Sequence, residues 1–244
     1  MSSEKTVSEA IKYRRSVRIY NAEKPIDTKT VKECIELAAL APNSSNMQLW
    51  EFYHITSKAT IAKIAPYCFN QNAAKTAQEL VIFVTRKDLW KKRVQSNLKM
   101  IDGLFPPVSK EKQSSREKVI RNYYGKIIPF AYADFFGILG YLKLLLVSVI
   151  GIFKPIYRQV KNSDMRIVAH KTCGLAAENF MVSMAAKGYD TCPMEGSDTL
   201  RVKRLLGLPF GAEINMIVSC GIRDEKGVYG DRFRIPFEEV YREV

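Results

Sequence analysis

One stretch of the sequence, residues 135–153, limits the possible folds more than any other. Among its nineteen residues Lys143 is the only charged one, and most of the others are large apolar side chains. A helix of this length is just long enough to cross the ~30 Å hydrocarbon core of a membrane. The lysine at mid-length and Asp134 directly before the stretch argue against a span, because charge at that depth is costly. The sequence therefore favours helices packed as a lid or subunit surface, and it leaves open a helix that lies along a membrane interface.

The positive charge of the chain is concentrated around that stretch. The formal net charge is +13, and residues 87–166 hold 16 Lys or Arg against 6 Asp or Glu. A basic patch of this kind is found where proteins meet nucleic acid or an anionic membrane surface, and it is also found on ordinary solvated faces. Residues 87–126 contain no helix-turn-helix or RNA-recognition pattern, so we expect no nucleic-acid partner.

The cysteines and histidines argue against two other classes of protein. The five cysteines are scattered without a Cys-x-x-Cys pair, and His54 and His170 have no second ligand at metal spacing. A disulfide framework and a metal site are therefore not expected. Residues 1–5 are polar and no apolar leader follows them, so the sequence predicts a protein of the reducing cytoplasm.

Hydrophobic periodicity divides much of the chain into helices and strands. Residues 28–40 repeat apolar side chains at helical spacing, whereas residues 79–85 contain five consecutive apolar side chains, the pattern of a buried central strand. Residues 51–56 and 213–220 are predicted as further strands. With 244 residues, of which 47% are hydrophobic, the chain is long enough for a single large domain with a substantial core.

A long helix is predicted over residues 164–187, ending at Gly188. Its second half, residues 175–186, consists of small and apolar side chains nearly all round. A helix that is apolar on every side is usually buried on every side, so we expect this one at an interface between two subunits. After it, Ser197 is predicted to cap a short helix that ends at Gly207.

Four short motifs carry the chemistry of the sequence. Residues 14–18 read Arg-Arg-Ser-Val-Arg, and residues 41–50 read Ala-Pro-Asn-Ser-Ser-Asn-Met-Gln-Leu-Trp. Residues 193–198 read Pro-Met-Glu-Gly-Ser-Asp, and residues 232–236 read Arg-Phe-Arg-Ile-Pro. Arginine binds phosphate through a planar, bidentate guanidinium group, and a serine hydroxyl adds a neutral donor. The arginine motifs therefore indicate a phosphate site.

In this order, the four motifs resemble those of the nitroreductase family of flavin enzymes, over residues 8–86 and 165–240. The resemblance implies an α+β fold in one domain: a mixed, mostly antiparallel sheet flanked by helices. Residues 87–166 are then a helical insertion or lid, and residues 223–244 a C-terminal extension. It further implies a homodimer with FMN at the interface and NAD(P)H as electron donor. The activity expected is two-electron hydride transfer through flavin N5 to a nitroaromatic, a quinone or a similar small acceptor.

The resemblance also assigns residues to the FMN phosphate. Arg14 and Ser16 match positions that contact the phosphate, and Arg15 contributes main chain and some charge. Arg232 and Arg234 of the C-terminal extension are expected to reach the same group. No catalytic side chain and no metal ligand are expected, because the cofactor carries the redox chemistry.

Other matching positions surround the flavin ring. Arg18 is expected at the N1/O2 edge and Asn70 at the pyrimidine edge. Glu195 and Gly196 are expected beside N5, with the Gly196 N–H directed at that atom. The positions that complete the set are Pro193 and Met194 before the turn and, from the other subunit, Pro42, Asn43, Ser44 and Asn46. The sequence departs from the family at Ala73, where some members have lysine, and at Leu49, where proline is usual.

Two questions stay open at the level of sequence. A flavin-binding protein without turnover would keep the FMN residues but close the cavity above N5. The acceptor depends on residues 87–166, which the resemblance does not cover, and the sequence leaves the choice between NADH and NADPH open.

The apolar stretch itself has two interpretations. A membrane span is also disfavoured because it would place the motifs before and after it on opposite sides of the membrane, whereas the resemblance requires them to form one site. A lid would cover the flavin pocket and exclude water during hydride transfer, and we favour it. Peripheral membrane contact through residues 130–154 is the alternative, because basic residues that attract anionic lipid flank the stretch: Lys110, Lys112, Arg116, Lys118, Arg121, Lys126, Lys154, Arg158 and Lys161.

Overall fold

The structure is a computed structural model that describes residues 4–105, 113–135 and 137–244. Lys110 and Lys112 of the predicted basic flank lie outside these residues. In chain order the described elements are α1 (Val7–Tyr13), α2 (Thr28–Ala38), β1 (Trp50–Ile55), α3 (Lys58–Ile64), α4 (Asn72–Lys75), β2 (Glu79–Thr85), α5 (Trp90–Leu104), α6 (Ser115–Asn122), α7 (Ile128–Tyr132), α8 (Ile138–Phe153), α9 (Asn162–Ala186), β3 (Asp190–Met194), α10 (Thr199–Leu205), β4 (Glu213–Gly221) and α11 (Phe237–Val240).

The four strands form one sheet in the order β1-β2-β4-β3, and every neighbouring pair is antiparallel. All seven residues of β2 are buried, because this strand has a neighbour on each side and a packed layer on each face. An isolated parallel bridge between Ser16 and Thr191 adds a short extension beside β3. The predicted α+β fold with a mostly antiparallel sheet is confirmed.

Helix α9 covers one face of the sheet. Phe180 on this helix packs against Phe83 of β2 with ring centroids 5.6 Å apart, and small residues such as Ala176 and Ala177 let helix and sheet approach closely. The opposite side of α9 remains accessible in the single chain, since Leu175 is 48% exposed. All-round burial of residues 175–186 at a subunit interface therefore stays a prediction.

Helices α3, α4 and α10 pack on the other face of the sheet, around Leu80, Ile82 and Ile217, which are fully buried. Helix α10 is capped by Asp198, whose side chain accepts from the Arg201 N–H, and not by Ser197 as predicted. A carboxylate accepts this bond more strongly than a hydroxyl does, and its charge is favourable at a helix N-terminus.

The described part of the insertion between β2 and α9 is mostly helical, with an irregular segment over residues 154–161 before α9. It contains α5, α6, a π-helical turn at Tyr123–Ile127, α7 and α8. Helix α8 has sixteen residues, a length of about 24 Å at 1.5 Å per residue. Within the described residues, no helix is both long and apolar enough to cross a membrane.

All five cysteines are free and buried. Burial raises the pKa of Cys34 and Cys173 to about 12 and that of Cys68 to about 11. A thiol with so high a pKa is protonated at neutral pH and unreactive, because the thiolate is the nucleophile. The side chains therefore act as small core residues.

Candidate functional site

The arginine motif begins where α1 ends. Helix α1 starts with a capping box between Thr6 and Glu9, and at Arg14 the backbone leaves the helical region. The chain then runs beside the sheet edge, where the Val17 N–H donates to the Thr191 carbonyl over 3.1 Å and the Val17 side chain is fully buried. This anchor holds the arginines on either side of Val17 at the surface.

The chain after β4 returns antiparallel to the same segment. The Arg18 N–H donates to the Gly227 carbonyl over 2.6 Å, and the Asp224 N–H donates to the Ile19 carbonyl over 3.1 Å. A Cβ atom at Gly227 would lie 2.5 Å from the Ile19 carbonyl oxygen, so this close approach requires glycine. At the base of the return, Arg223 Nε donates to the buried Asp190 carboxylate over 2.9 Å.

This return creates a basic pocket of about 270 Å³, and we call it the arginine pocket. The Arg232 guanidinium donates to the carbonyls of Lys12 and Arg14, and Arg15 Nη2 donates to the Gly230 carbonyl over 2.9 Å. Side chains from residues distant in sequence are thus fixed to one another by main-chain carbonyls. The pocket is lined by Arg14, Arg15, Ser16, Arg18, Val228, Tyr229, Asp231, Arg232, Phe233 and Arg234.

The pocket has a strong excess of positive charge. Five guanidinium groups and one carboxylate, Asp231, line it. Partial desolvation, and then the charges of Arg15, Arg234 and Arg14, lower the pKa of Arg232. Like charges held this close repel one another, so a bound anion relieves the repulsion and gains charge-assisted hydrogen bonds.

A second cavity, of about 390 Å³, adjoins the arginine pocket through Arg18 and Tyr229, which line both. Asn70 lines this second cavity with a left-handed backbone (φ 53°), a conformation that asparagine adopts more readily than most residues. Gln71 and Asn72 line it too and are absent from the predicted set. The signal that could have identified them is the run of three amide side chains at residues 70–72.

The Glu-Gly turn lies close to this second cavity. Gln71 Nε2 donates to the Gly196 carbonyl over 3.0 Å, which fixes the orientation of the turn, and both Glu195 and Gly196 are exposed. Just beyond them, the buried Ser197 hydroxyl has no hydrogen-bond partner among the described residues. Before the turn, Pro193 is half-buried and Met194 belongs to the core.

The predicted Asn/Ser loop occupies a different place in the chain. Ser44 lines a separate, largely apolar cavity of about 330 Å³ together with Tyr123 of the insertion. The loop is rigid, since Asn43 Oδ1 accepts from the Gln48 N–H over 2.8 Å and Asn46 has a positive φ. No residue from 42 to 46 lines the arginine pocket of its own chain. Their predicted action on the other subunit's flavin stays a prediction.

No metal site was expected from the sequence. Within residues 4–105, 113–135 and 137–244, no group of three or more His, Cys, Asp or Glu side chains is arranged to hold a metal ion.

Fold and site together define an α+β protein with a preformed basic pocket at the edge of its sheet. The chain belongs to the nitroreductase family, whose model matches residues 11–222, so the resemblance found in the motifs is confirmed. The matched region includes the insertion and stops before the tail arginines.

Known relatives match along most of the chain. Protein DrgA of Synechocystis is 27% identical, with 89% of this chain and 84% of the relative covered. An oxygen-insensitive NAD(P)H nitroreductase of Enterobacter cloacae is 25% identical, with 87% and 85% covered. Among solved structures, one assigned to the nitroreductases and crystallised with FMN, from Exiguobacterium sibiricum, superposes with a TM-score of 0.68 at 21% identity, covering 100% of this chain and 99% of the other.

Proposed function

We propose that this chain is an FMN-dependent oxidoreductase that takes a hydride from NAD(P)H and delivers it to a small acceptor such as a nitroaromatic or a quinone. The observation that carries the proposal is the arginine pocket continued by the cavity around Asn70. The similarity to the Exiguobacterium structure with FMN and to the Enterobacter NAD(P)H nitroreductase supports the choice of cofactor and donor.

The residues present fit FMN on two counts. A phosphate needs cations and neutral donors, which Arg14, Arg234 and Ser16 supply in one pocket. A flavin ring needs polar groups at its pyrimidine edge, which the Arg18 guanidinium and the Asn70 amide offer in the adjoining cavity. The unpartnered Ser197 hydroxyl, next to the Glu-Gly turn, is a further polar group for which a bound molecule would provide a partner.

When bound, FMN supplies the two-electron hydride chemistry, and the protein orients and tunes it. In the proposed site Arg14, Arg232 and Arg234 would hold the phosphate, and Arg18 would place positive charge at the edge of the ring, which would stabilise negative charge there. The Gly196 carbonyl is held by Gln71, and the Gly196 N–H would serve as the donor to flavin N5. No side-chain nucleophile or metal is required.

The functional unit is proposed to be a homodimer in the cytoplasm. In the single chain Pro42, Asn43, Ser44 and Asn46 stand apart from the arginine pocket, and the outer side of α9 is accessible. A second subunit packed on α9 would bury that side and would supply its own Asn/Ser loop to the flavin. The five free, buried cysteines suit a reducing compartment.

The test is spectroscopic. Purified protein should show the absorbance bands of bound flavin, and anaerobic addition of NADH or NADPH should bleach them. Adding a nitroaromatic or a quinone should then restore the colour. Colour without bleaching would indicate a flavin-binding protein without turnover, and a protein that stays colourless after incubation with FMN would refute the proposal.

A further inference from the structure

Helix α8 exposes a stripe of large apolar side chains to solvent. Many of its apolar side chains point outward at the spacing i, i+3, i+4, i+7, which is normally the buried stripe, while Val147 is buried. The outward side chains are 51–83% exposed, and we call them the α8 stripe: Ile138, Tyr141, Leu142, Leu145, Leu146, Val149, Ile152 and Phe153. Of these, only Tyr141 carries a polar atom.

The single charge of the helix points inward. Lys143 is 4% exposed, and its ammonium group donates to the carbonyls of Ala131 and Ala133 at the C-terminal end of α7. These are carbonyls that α7 itself leaves without a helical partner, so the lysine acts as their cap. Turning the helix over to bury the stripe would break this cap, and the observed orientation is therefore locally stabilised.

The surroundings of the stripe are basic. Exposed Lys126, Lys154 and Arg158 flank it in sequence, and Arg158 is fixed beside the helix by donating to the Gly151 carbonyl over 2.9 Å. Two acidic residues, Glu117 and the exposed Asp134, occur among the described residues from 113 to 161. One of them, Glu117, is buried against Arg121, so its charge is neutralised within the fold.

These features select among possible partners. A second copy placed by two-fold symmetry would set the same basic residues against each other, which is repulsive. A protein partner would normally form hydrogen bonds along so long a contact, and the stripe offers almost none. An anionic bilayer complements both the apolar stripe and its basic flanks, because its acyl region accepts apolar side chains and its headgroups attract lysine and arginine.

In place of the lid favoured from the sequence, we infer that the α8 stripe is a membrane-docking surface that lies in the headgroup region of an anionic bilayer, with Lys126, Lys154 and Arg158 on the headgroups. The sixteen-residue helix lies along the membrane, since at about 24 Å it is shorter than the ~30 Å of a span. This inference does not depend on the identity of the cofactor or the acceptor.

The experiment is flotation of the full-length protein with vesicles of phosphatidylcholine, with and without phosphatidylglycerol, at low and physiological salt. The stripe variant is Leu145→Gln with Ile152→Gln. Its matched control is Leu200→Gln with Phe210→Gln, two apolar side chains that are 54% and 100% exposed elsewhere on the surface. A charge variant, Lys126→Gln with Lys154→Gln, separates the electrostatic part.

We expect the protein to float with anionic vesicles at both salt concentrations. Partitioning of the stripe variant should fall at least tenfold, because two large apolar side chains no longer leave water, and the control should behave as the unmodified protein. The charge variant should partition roughly 25-fold more weakly at low salt, at about fivefold per basic residue.

Three outcomes would overturn the inference. The first is loss of flotation at physiological salt, which would indicate charge attraction without insertion. The second is equal loss in the stripe and control variants. The third is a lower sedimentation coefficient of the stripe variant without vesicles, which would identify a second copy as the occupant. Unchanged thermal melting of each variant excludes misfolding, and the charge variant provides an independent test if the stripe variant melts early.

Discussion

The arginine pocket leads to a quantitative prediction for the double variant Arg14→Ala with Arg234→Ala. Both side chains line the pocket. The hydrogen bond that ties Arg14 to the tail is donated by Arg232 to the Arg14 main-chain carbonyl, so it remains when the Arg14 side chain is removed. The variant should therefore fold normally and lose affinity for the phosphate of FMN.

The size of the loss follows from the contacts removed. A hydrogen bond to a charged group contributes roughly 1.5–3 kcal/mol, so two of them amount to about 3–6 kcal/mol. At about 1.4 kcal/mol per tenfold change in dissociation constant, FMN binding should weaken by a factor of about 10²–10⁴. Each single variant should weaken it by about 10-fold to 150-fold.

Fluorescence titration of the flavin-free protein with FMN measures these constants. The matched control is Lys29→Ala with Lys32→Ala, which removes the same charge from exposed positions on α2, a helix that does not line the arginine pocket. Control and unmodified protein should bind alike, and their affinity should fall more steeply with salt than that of the double variant. A double variant that purifies with full flavin occupancy would show that the phosphate lies elsewhere.

The remaining predictions concern assembly and stability. If each subunit serves its partner's flavin, dilution below the dimer dissociation constant should release FMN, and a stable yellow monomer in sedimentation would contradict this. Arg223→Ala should cost roughly 3 kcal/mol in the free energy of unfolding, because it leaves the buried Asp190 carboxylate unpaired; a denaturant titration that shows no change would contradict it. Phe180→Ala should cost about 3–5 kcal/mol by the same measurement, and a smaller loss would mean that the core closes around the gap. Stability should fall as pH rises above about 9, by roughly 1.4 kcal/mol per pH unit for each thiol, because Cys34 and Cys173 keep in the native state the protons that the unfolded chain releases. Cys173→Val should make this alkaline slope shallower, and an unchanged slope would locate the effect elsewhere.

Local patterns were sufficient for three of the four strands but not for β3 or for the insertion. Strand β3 has only five residues, and it includes Asp190 and Pro193, which are residue types depleted in strands. The apolar run at residues 80–84 located β2, because a strand buried on both faces carries apolar side chains at successive positions. Its two end residues, Glu79 and Thr85, are buried although they are polar. In α8 the sequence is apolar on nearly every side, so periodicity gave no orientation. Its orientation follows from tertiary contacts that sequence spacing does not encode, among them the bond from Lys143 to the end of α7 and the burial of Val147.

Part of the site could also be predicted from the sequence. Arginine chemistry indicated a phosphate, but the meeting of residues 14–18 with residues 232–234 followed only from family resemblance, since nothing local connects them. The second cavity showed what motifs overlook: Gln71 and Asn72 line it by virtue of the left-handed turn at Asn70. Ser197 was misassigned as a cap because two adjacent residues, Ser197 and Asp198, both suit that position.

The arginine pocket joins parts of the chain that are made at very different times. The hydrogen bonds of Arg15 and Arg232 that close it link residues 215 to 220 positions apart. At synthesis rates of about 5–20 residues per second, the N-terminal half of the pocket precedes the other half by roughly 10–40 s. The sheet also cannot be completed until β4 has been made, because β4 pairs with both β2 and β3. The tail after β4 can pack beside the sheet only from then on. If the FMN phosphate binds in this pocket, it can be held only after translation has passed residue 234, so the cofactor cannot guide the folding of the earlier part of the chain.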